Sequence, residues 1–366
     1  MNKVLYLKEF PNLIEVQRSS YCWFLKKGLR EEFQNISSIY DFSKDTLVQI
    51  YGQEYKLKKP RYDLFETKQR DTTYAIRIFV PVQINHVLRG NSKPKNIFLG
   101  EIPLMTNKGT FLINGCERVI INQLIRSPGI YYRREKIVTG KKVYSATLIS
   151  NRGSWLKFEF KRERIIFKID NKAEFPIIYL LECLGLSKDD IHFSLSEVNA
   201  SKFTNFNLTV SNLIDSEKTN LFKQNVSEKL FNKKYYDLGA VGRLKLNERL
   251  RISVSKNDRI LTALDILAII KDLCDTNLRT SQDDDIDNLR NRRVRSVGEL
   301  LHNQFRIGLN RIERNISENI TVQEIKKINN IVNPKPIVAS IREFFGSSQL
   351  SQFLDQINPL SELTHK

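Results

Sequence analysis

Residues 97–124 read IFLGEIPLMTNKGTFLINGCERVIINQL, and two turn signals divide the apolar runs of this stretch. The first signal is Asn107-Lys108-Gly109 and the second is Asn114-Gly115. Asparagine and glycine accept a positive φ angle, which tight hairpin turns require. The stretch therefore predicts consecutive short antiparallel strands.

The flanking sequence predicts further strands. From Ala75 to Ile84, apolar residues recur at every second position, which is the period of a strand, and Pro81 predicts an edge or bulge position within it. On the other side, residues 155–169 read WLKFEFKRERIIFKI. Their apolar residues alternate around a polar turn at Arg162-Glu163, which predicts a second hairpin.

Other parts of the chain have apolar residues at intervals of three and four, which predicts helices. The predicted helices cover residues 13–33, residues 176–186, a segment after the N-cap candidate Thr262, a longer segment from Val294, and a segment from Pro336 to Gly346. Residues 192–234 are the least periodic and are predicted to be a variable insertion. Helices combined with short antiparallel strands indicate an α+β, multidomain fold class.

The charge balance indicates an anionic partner. The chain has 366 residues and a formal net charge of +18, from 59 Lys+Arg and 41 Asp+Glu. Nucleic acid is the first candidate partner, although a biased genome would also enrich lysine. The longest apolar run without charge, residues 78–88, is much shorter than the roughly 20 residues of a membrane span. The start of the chain lacks a signal or transit pattern, so we expect synthesis in the compartment of function.

Residues suited to metal binding or catalysis are sparse. The cysteines and histidines are isolated from one another, which argues against a zinc site and a disulfide framework. The acidic cluster Asp283, Asp284, Asp285 and Asp287 could hold Mg²⁺ for phosphoryl transfer. We favour the alternative, in which these carboxylates are a solvated loop or pair with the arginines that follow them.

Seven arginines lie between Arg290 and Arg314, where the acidic residues are Glu299 and Glu313. The planar guanidinium group binds phosphate or carboxylate through two parallel hydrogen bonds. The segment could therefore follow a nucleic-acid backbone or supply intramolecular ion pairs, and the residues alone leave both interpretations open.

Five longer blocks of the sequence form recognisable motifs. They are GEIPLMTNKGTFLINGCERVIINQLIRSPGIYY (100–132), NRGSWLKFEF (151–160), DLGAVGRLKLN (237–247), DDIDNLRNRRVRSVGELLHNQFRIGL (284–309) and EFFGSSQLSQFLDQINPLSELTHK (343–366). These blocks resemble the β subunit of multisubunit DNA-dependent RNA polymerase. The blocks follow the order of the family and leave only about 192–234 unmatched. The RSPGIYY and NRGSWLKFE segments are similar to the cyanobacterial and plastid branch.

The resemblance implies an amino-terminal portion of a β subunit. In the family, the block that ends at Lys366 continues into a much longer chain. The resemblance therefore points to a split subunit of the green-algal chloroplast type, located in the plastid stroma or nucleoid, with the carboxy-terminal β fragment as a separate polypeptide. A truncated chain is the other interpretation.

The resemblance also implies a domain arrangement with short antiparallel sheets and packed helices. Residues 1–125 are expected to form the first part of the protrusion domain, residues 126–288 the lobe with its variable segment about 192–234, residues 289–345 the return of the protrusion, and residues 346–366 the start of the fork and rifamycin region.

The family's function implies that this chain is part of the wall of the DNA and RNA–DNA hybrid channel. The enzyme transcribes DNA into RNA from the four ribonucleoside triphosphates. No catalytic residue, metal ligand or cofactor is expected in this chain, because the family's catalytic Mg²⁺ lies on the β′ subunit. The expected partners are the DNA template, the RNA–DNA hybrid, the carboxy-terminal β fragment, α and β′-type subunits, and a sigma-like factor.

Five residues are expected, by the same resemblance, to line the RNA path and part of the rifamycin pocket. They are Gln349, Gln352, Phe353, Asp355 and His365. Arg293 and Arg295 are candidates for contact with nucleic acid or a neighbouring subunit, unless they pair with Asp285 and Asp287.

Two other functions compete with this interpretation. A free-standing basic nucleic-acid-binding protein would be a stable monomer without an exposed apolar seam. A small metal-dependent nuclease would use the acidic cluster at residues 283–287.

Overall fold

The computed structural model describes residues 12–36, 38–40, 46–86, 90–136, 142–161, 164–170, 174–186, 226–227, 229–274, 283–322 and 332–366. The chain divides into two units. Unit 1 comprises Met1–Leu124 and Val294–Lys366, and unit 2 comprises Ile125–Arg293. Short antiparallel sheets with packed helices form both units, which confirms the α+β fold class.

A six-stranded antiparallel sheet forms the framework of unit 1. Its strands are β1 (Ser38–Tyr40), β2 (Thr46–Ile50), β3 (Lys56–Lys58), β4 (Ala75–His86), β5 (Gly90–Asn91) and β6 (Lys95–Pro103). The predicted strand is β4, and the alternate side chains from Ile76 to Ile84 are buried against the core. The period of two therefore reflects a sheet with one face on the core.

The edge position predicted from Pro81 is wrong, because β4 is the central strand of this sheet. The bulge lies at Ile78/Phe79 instead. Along one flank, β2 pairs with Val82–His86 and β3 pairs with Arg77–Phe79, so no strand residue pairs with Pro81 there. The Pro81 carbonyl accepts a hydrogen bond from the backbone N–H of Tyr51 on that flank. Proline has no N–H to donate, and Pro81 lies at the point of this flank between β2 and β3 where no strand residue pairs with it.

A three-stranded sheet in unit 1 contains the predicted hairpin. The strands are β7 (Phe111–Ile113), β8 (Cys116–Ile120) and β16 (Ser351–Phe353). The turn between β7 and β8 is Asn114-Gly115, with φ angles of 47° and 78°. These positive angles explain the residue types and confirm the hairpin.

Unit 1 also contains α-helices. They are Glu15–Trp23, Leu29–Asn35, Leu64–Gln69, Val297–Val322, Lys335–Ser347 and Pro359–His365. A π-helical turn, Phe24–Gly28, joins the first two and interrupts the single helix predicted over residues 13–33. The long helix predicted from Val294 begins at Val297, and the helix predicted from Pro336 to Gly346 is confirmed.

Close backbone approaches hold these helices together. Ser20 Oγ accepts a hydrogen bond of 3.0 Å from the N–H of Gly298 and one of 2.6 Å from Ser296 Oγ. A Cβ atom on Gly298 would overlap the carbonyl oxygen of Ser20. Gly308 lies against Ile337 and Ser340, where a Cβ would come within 2.9 Å of the Ile337 Cα. Both glycines therefore permit helix contacts that larger residues would prevent.

Unit 2 contains a five-stranded antiparallel meander. Its strands are β10 (Gly129–Lys136), β11 (Lys142–Ile149), β12 (Leu156–Lys161), β13 (Arg164–Ile169) and β14 (Glu174–Pro176). Strands β12 and β13 confirm the second predicted hairpin, whose turn at residues 162–163 lies outside the described residues. Separately, β9 (Gln123–Arg126) pairs with β15 (Arg292–Arg295).

The core of unit 2 lies between the meander and its helices. The helices are Ile177–Cys183, Gly239–Leu250 and Ala263–Cys274, with a short 3₁₀ turn at Leu289–Asn291. Thr262 caps its helix as predicted, since Thr262 Oγ1 accepts a hydrogen bond from the N–H of Asp265. In the predicted variable segment, residues 192–225 and 228 lie outside the described residues. Within the described ranges, no helix combines the length and the apolarity that crossing a membrane requires.

Candidate nucleic-acid interface

The segment that contains the five predicted contact residues is fixed to unit 1 through its backbone. Strand β16 pairs with β8, so that Gln352 lies opposite Val119 and Phe353 lies opposite Arg118. The pairing continues beyond β16, since the N–H of Leu354 donates to the carbonyl of Glu117 at 3.1 Å. This short strand buries Ser351 and exposes Gln352 and Phe353.

The exposed ring of Phe353 stacks against an arginine. The guanidinium carbon of Arg118 lies 4.3 Å from the centre of the ring. Arg118 also donates hydrogen bonds to the Phe345 carbonyl at 2.6 Å and to Ser351 Oγ at 3.4 Å. These bonds hold the cation beneath the ring, where the ring quadrupole attracts it. The surface therefore presents an aromatic face beside a positive charge.

The other four predicted residues form one chain of hydrogen bonds. Gln352 Nε2 donates to the Gln349 carbonyl at 3.3 Å, and Gln352 Oε1 lies 3.1 Å from His365 Nε2. The N–H of Asp355 lies 3.4 Å from His365 Nδ1 and donates to it. Because Nδ1 accepts a hydrogen bond, the proton of the neutral imidazole lies on Nε2 and is donated to Gln352.

Asp355 extends this network to the helix Pro359–His365. Ser361 Oγ donates to Asp355 Oδ2 at 2.7 Å, and the N–H of Ile357 donates to Oδ1 at 3.2 Å. The Ser361 hydrogen bond, followed by that of Ile357, holds the pKa of Asp355 below its ordinary value of 3.8. Asp355 therefore stays a carboxylate and joins the strand to the helix.

A groove of about 550 Å³ lies along the other side of this helix. Leu13 and Ile14 line it together with Leu363 and Lys366. Lys366 Nζ lies 2.6 Å from Glu362 Oε1, and this hydrogen bond lowers the pKa of Glu362. The charges at the groove are thus partly neutralised within the helix.

Arg293 and Arg295 have polar partners of their own outside the network. Arg293 donates to Asn151 Oδ1 at 2.5 Å within unit 2. Arg295 Nε lies 3.4 Å from Glu299 Oε1 within unit 1. The two arginines therefore point to separate local roles rather than to one shared site.

Arginines neutralise most of the acidic cluster. Asp283 pairs with Arg134 at 2.8 Å and Asp284 with Arg249 at 3.3 Å. Asp287 pairs with Arg292 at 2.6 Å. The structure thus supports the interpretation of the cluster as a set of ion-pair partners.

Asp284 also closes an edge of the meander. Its N–H donates to the Tyr132 carbonyl at 3.0 Å, and its Oδ2 accepts from the Tyr132 N–H at 2.8 Å. The aspartate therefore satisfies the exposed backbone of the edge strand β10. In the part of the chain that the structure describes, no group of acidic, histidine or cysteine side chains has an arrangement suited to a metal ion.

Sequence reasoning missed the residues that orient the network. Arg118 lies 227 positions before its partner Phe345, so no local pattern connects them. Ser361 was not singled out, although its position on a short helix after Asp355 favours a hydrogen bond to that carboxylate. Gln17 was also not singled out. Its Nε2 donates to the carbonyls of Ile120 in β8 and of Lys366, and it thereby connects the end of the last helix with the three-stranded sheet.

Comparison with known proteins identifies close relatives. Residues 12–341 match the family described as RNA polymerase beta subunit. The chain is 47% identical over 375 residues to the DNA-directed RNA polymerase subunit beta of Guillardia theta, with 98% of this chain and 34% of the relative covered. The same subunit of Rhodomonas salina is 45% identical, and that of Synechocystis sp. is 46% identical, each with 97% of this chain and 34% of the relative covered. The chain thus spans about a third of the length of the curated relatives it matches.

Proposed function

Since this chain belongs to the RNA polymerase β subunit family, we propose that it is part of a DNA-directed RNA polymerase, which transcribes DNA from the four ribonucleoside triphosphates. The observation that supports the proposal is the identity of 47% over nearly the whole chain. The relatives are about three times as long as the aligned region. The nucleotidyltransferase activity is therefore proposed for an assembly that includes this chain, and not for the chain alone.

In that assembly, the chain forms part of the wall of the channel for DNA and the RNA–DNA hybrid. We assign unit 1 to the protrusion and the start of the fork region, and unit 2 to the lobe. The net charge of +18 supports this role, because lysines and arginines that neutralise phosphates release counterions. Such contacts do not depend on base sequence.

The surface around Phe353 is proposed to face the hybrid close to the active centre. The aromatic ring with Arg118 beneath it offers a face for stacking and a positive charge for phosphate. The network of Gln349, Gln352, Asp355 and His365 holds the segment in place. Arg293 and Arg295 are proposed as contacts to nucleic acid or to a neighbouring subunit.

No catalytic residue is assigned to this chain. In the proposed assembly, the RNA 3′-hydroxyl attacks the α-phosphate of a nucleoside triphosphate and pyrophosphate leaves. The magnesium that supports this step is proposed to lie on a β′-type subunit. The pairing of Asp283, Asp284 and Asp287 with arginines supports an architectural role for the acidic cluster.

The proposed partners are the remaining part of β, α and β′-type subunits, and a sigma-like factor. The proposed location is the chloroplast stroma or nucleoid. Relatives from plastids and cyanobacteria support it. A free-standing nucleic-acid-binding protein is not favoured, because the family match extends over residues 12–341.

The test is RNA synthesis on a primed RNA–DNA hybrid template by an enzyme reassembled with and without this chain. Omission of the chain is expected to abolish RNA synthesis. Phe353→Ala is expected to shorten the lifetime of stalled elongation complexes severalfold. Phe65→Ala is the matched control, since Phe65 is also exposed but lies outside the network, and it should leave the lifetime unchanged. Full RNA synthesis without the chain would contradict the proposal.

A further inference from the structure

One face of the six-stranded sheet in unit 1 points away from the core. Along β4, the residues buried in the core alternate with half-buried residues on the opposite face, among them Phe79 and Gln83. Residues paired in register share a face, so Phe79 lies between Lys56 of β3 and Phe98 of β6, and Gln83 lies beside Gln49 of β2. We call the surface formed by Lys56, Lys58, Phe79, Phe98, Gln49 and Gln83 the outer sheet face.

Two phenylalanine rings lie beside each other on the outer sheet face. The ring centres of Phe79 and Phe98 are 5.6 Å apart, with an angle of 55° between the ring planes. Neither ring belongs to the apolar core that the described residues of unit 1 form, so core packing does not account for the pair. Aromatic rings on the open face of a sheet can stack with the bases of a single-stranded nucleic acid.

Exposed lysines border the ring pair. Lys56 and Lys58 are both exposed, and Lys58 Nζ lies 4.4 Å from the centre of the Phe79 ring. The exposed Lys95 begins β6 on the other side of β4. Glu101 is the one acidic residue in β2, β3, β4 and β6. Cations therefore outnumber acids around the rings, which favours a partner that carries phosphates.

Amide side chains extend the outer sheet face beyond the rings. The Tyr51 hydroxyl lies 2.5 Å from Gln83 Oε1 and 3.3 Å from Gln49 Oε1. Asn85 Nδ2 donates to Gln49 Oε1 at 3.5 Å. These hydrogen bonds use the oxygens of both glutamines and orient their amide groups. The Nε2 groups are then the donors that a base edge or a sugar hydroxyl can meet.

The combination of rings, lysines and amides selects the class of partner. In a duplex or a hybrid, the bases are paired and stacked on one another, so their faces cannot stack on a protein ring. A polymerase that copies one DNA strand makes RNA as a single-stranded product, and the RNA 2′-hydroxyl both donates and accepts hydrogen bonds. We propose that the outer sheet face binds single-stranded RNA, with bases stacked on Phe79 and Phe98 and phosphates beside Lys56 and Lys58. This proposal rests on the proposed function.

The first experiment measures, by fluorescence anisotropy, binding of the complete 366-residue chain to a labelled oligouridine. An oligonucleotide of about 12 nucleotides lies within the range of site sizes for such surfaces. The variant Phe79→Leu, Phe98→Leu keeps apolar side chains but removes both rings. It is expected to bind the oligouridine at least about tenfold more weakly than the unaltered chain, because the stacked bases lose their platform. Its affinity for an RNA–DNA hybrid of the same length should not change.

A second variant, Lys56→Gln, Lys58→Gln, tests the phosphate contacts without altering the rings. Loss of two phosphate contacts should make the slope of log affinity against log salt concentration shallower by about 1.4 for a single strand. Both lysines are exposed, so the melting temperature should not change. This variant decides the question even where loss of the rings lowers the stability of unit 1.

The matched control is the double variant Phe65→Leu, Lys68→Gln, which changes an exposed ring and an exposed lysine on the helix Leu64–Gln69. It should bind the oligouridine with the affinity and the salt dependence of the unaltered chain. Photocrosslinking supplies a further readout. Thiouridine-substituted RNA should become joined to peptides that contain Phe79 or Phe98, which mass spectrometry identifies.

Unchanged oligouridine affinity in the ring variant, an unchanged salt slope in the lysine variant, or an equal loss of hybrid binding would overturn the proposal. Crosslinks confined to other peptides would overturn it too. Equal or tighter binding of an oligodeoxyuridine of the same length would assign the outer sheet face to single-stranded DNA and overturn the choice of RNA. All these results leave the proposed function intact, which fails separately if RNA synthesis is complete in the absence of the chain.

Discussion

At the scale of single residues, the buried ion pair between Arg243 and Asp265 connects several segments in the core of unit 2. Both side chains are fully buried, and the two Arg243–Asp265 hydrogen bonds are 2.7 and 2.8 Å long. Arg243 also donates to the carbonyls of Asp258 and Ile260. A loop and two helices are thus joined through one guanidinium, and the removal of either charge would leave the other without compensation.

Asp265→Ala is therefore expected to lower the free energy of unfolding of unit 2 by about 3–5 kcal/mol. The fluorescence of Trp155 during urea unfolding reports this in a Trp23→Phe background, since the chain has two tryptophans. Asp287→Ala, which removes an exposed pair with Arg292 in the same unit, is the control and should cost less than about 1 kcal/mol. Similar losses for both variants would contradict the account. The double variant Arg243→Met, Asp265→Leu should lose less than Asp265→Ala alone.

The lowered pKa of Asp355 gives a prediction on pH. The ionised form is favoured in the folded chain, so its contribution to stability is present above the ordinary pKa of 3.8 and is lost as the pH falls below that value through the folded pKa. Ser361→Ala removes the largest cause of the shift and should raise the pKa of Asp355 towards 3.8. Carboxyl ¹³C NMR titration measures this change.

The control for that titration is Thr364→Ala. The Thr364 hydroxyl lies on the same helix but donates to the Ser361 carbonyl instead of to Asp355. This variant should leave the pKa of Asp355 where it is in the unaltered chain. An unchanged pKa in Ser361→Ala would show that the serine does not hold the carboxylate.

Residue contacts were the least predictable feature. The resemblance placed Gln352 and His365 in one region, but their hydrogen bond spans 13 positions and depends on how β16 pairs with β8. Asp287 pairs with Arg292 as its Arg-rich neighbourhood suggested, whereas Asp284 reaches Arg249, which is 35 positions away. Such partners are brought together by tertiary packing, which cannot be inferred from a local sequence pattern.

At the scale of elements, local turn chemistry and period predicted most strands and helices. The hairpin at Asn114-Gly115 depends on two positive φ angles that these residue types supply. The π-helical turn Phe24–Gly28 was not predicted. Such a turn adds one residue to an α-helix, and the apolar pattern of the sequence stays close to that of an ordinary helix. The central position of β4 was not predicted, because a proline ordinarily indicates an edge strand. Pro81 is tolerated in a central strand because it lies between the segments that pair with β2 and β3, and this gap is visible only in the assembled sheet.

The contact between Gly298 and Ser20 gives a prediction at this scale. Gly298→Ala forces the helix Val297–Val322 away from the helix Glu15–Trp23 and should destabilise unit 1 by about 3 kcal/mol. Trp23 fluorescence in a Trp155→Phe background follows the unfolding. Gly346→Ala is the control, since a Cβ there meets nothing within 4 Å. Its effect should stay within about 1 kcal/mol and favour the helix. Equal destabilisation by both variants would refute the close-contact explanation.

At the scale of the whole molecule, the excess of positive charge should govern binding to nucleic acid. The affinity of the chain for an RNA–DNA hybrid is expected to fall roughly tenfold or more between about 50 and 200 mM salt, because counterions compete for the phosphates. Fluorescence anisotropy of a labelled hybrid measures this dependence. A duplex of DNA with peptide nucleic acid carries half the backbone charge and should show a shallower dependence. Identical slopes would contradict phosphate contact as the source of affinity.

The central claim is that this chain works within an assembled RNA polymerase. The most direct measurement is native affinity purification of the tagged chain from its source, washing through moderate salt, and mass spectrometry of the proteins that remain bound. We expect recovery of α and β′-type subunits together with the remaining part of β, in whichever polypeptide that part resides. Recovery of the chain alone, or with nucleic acid only, would contradict the account.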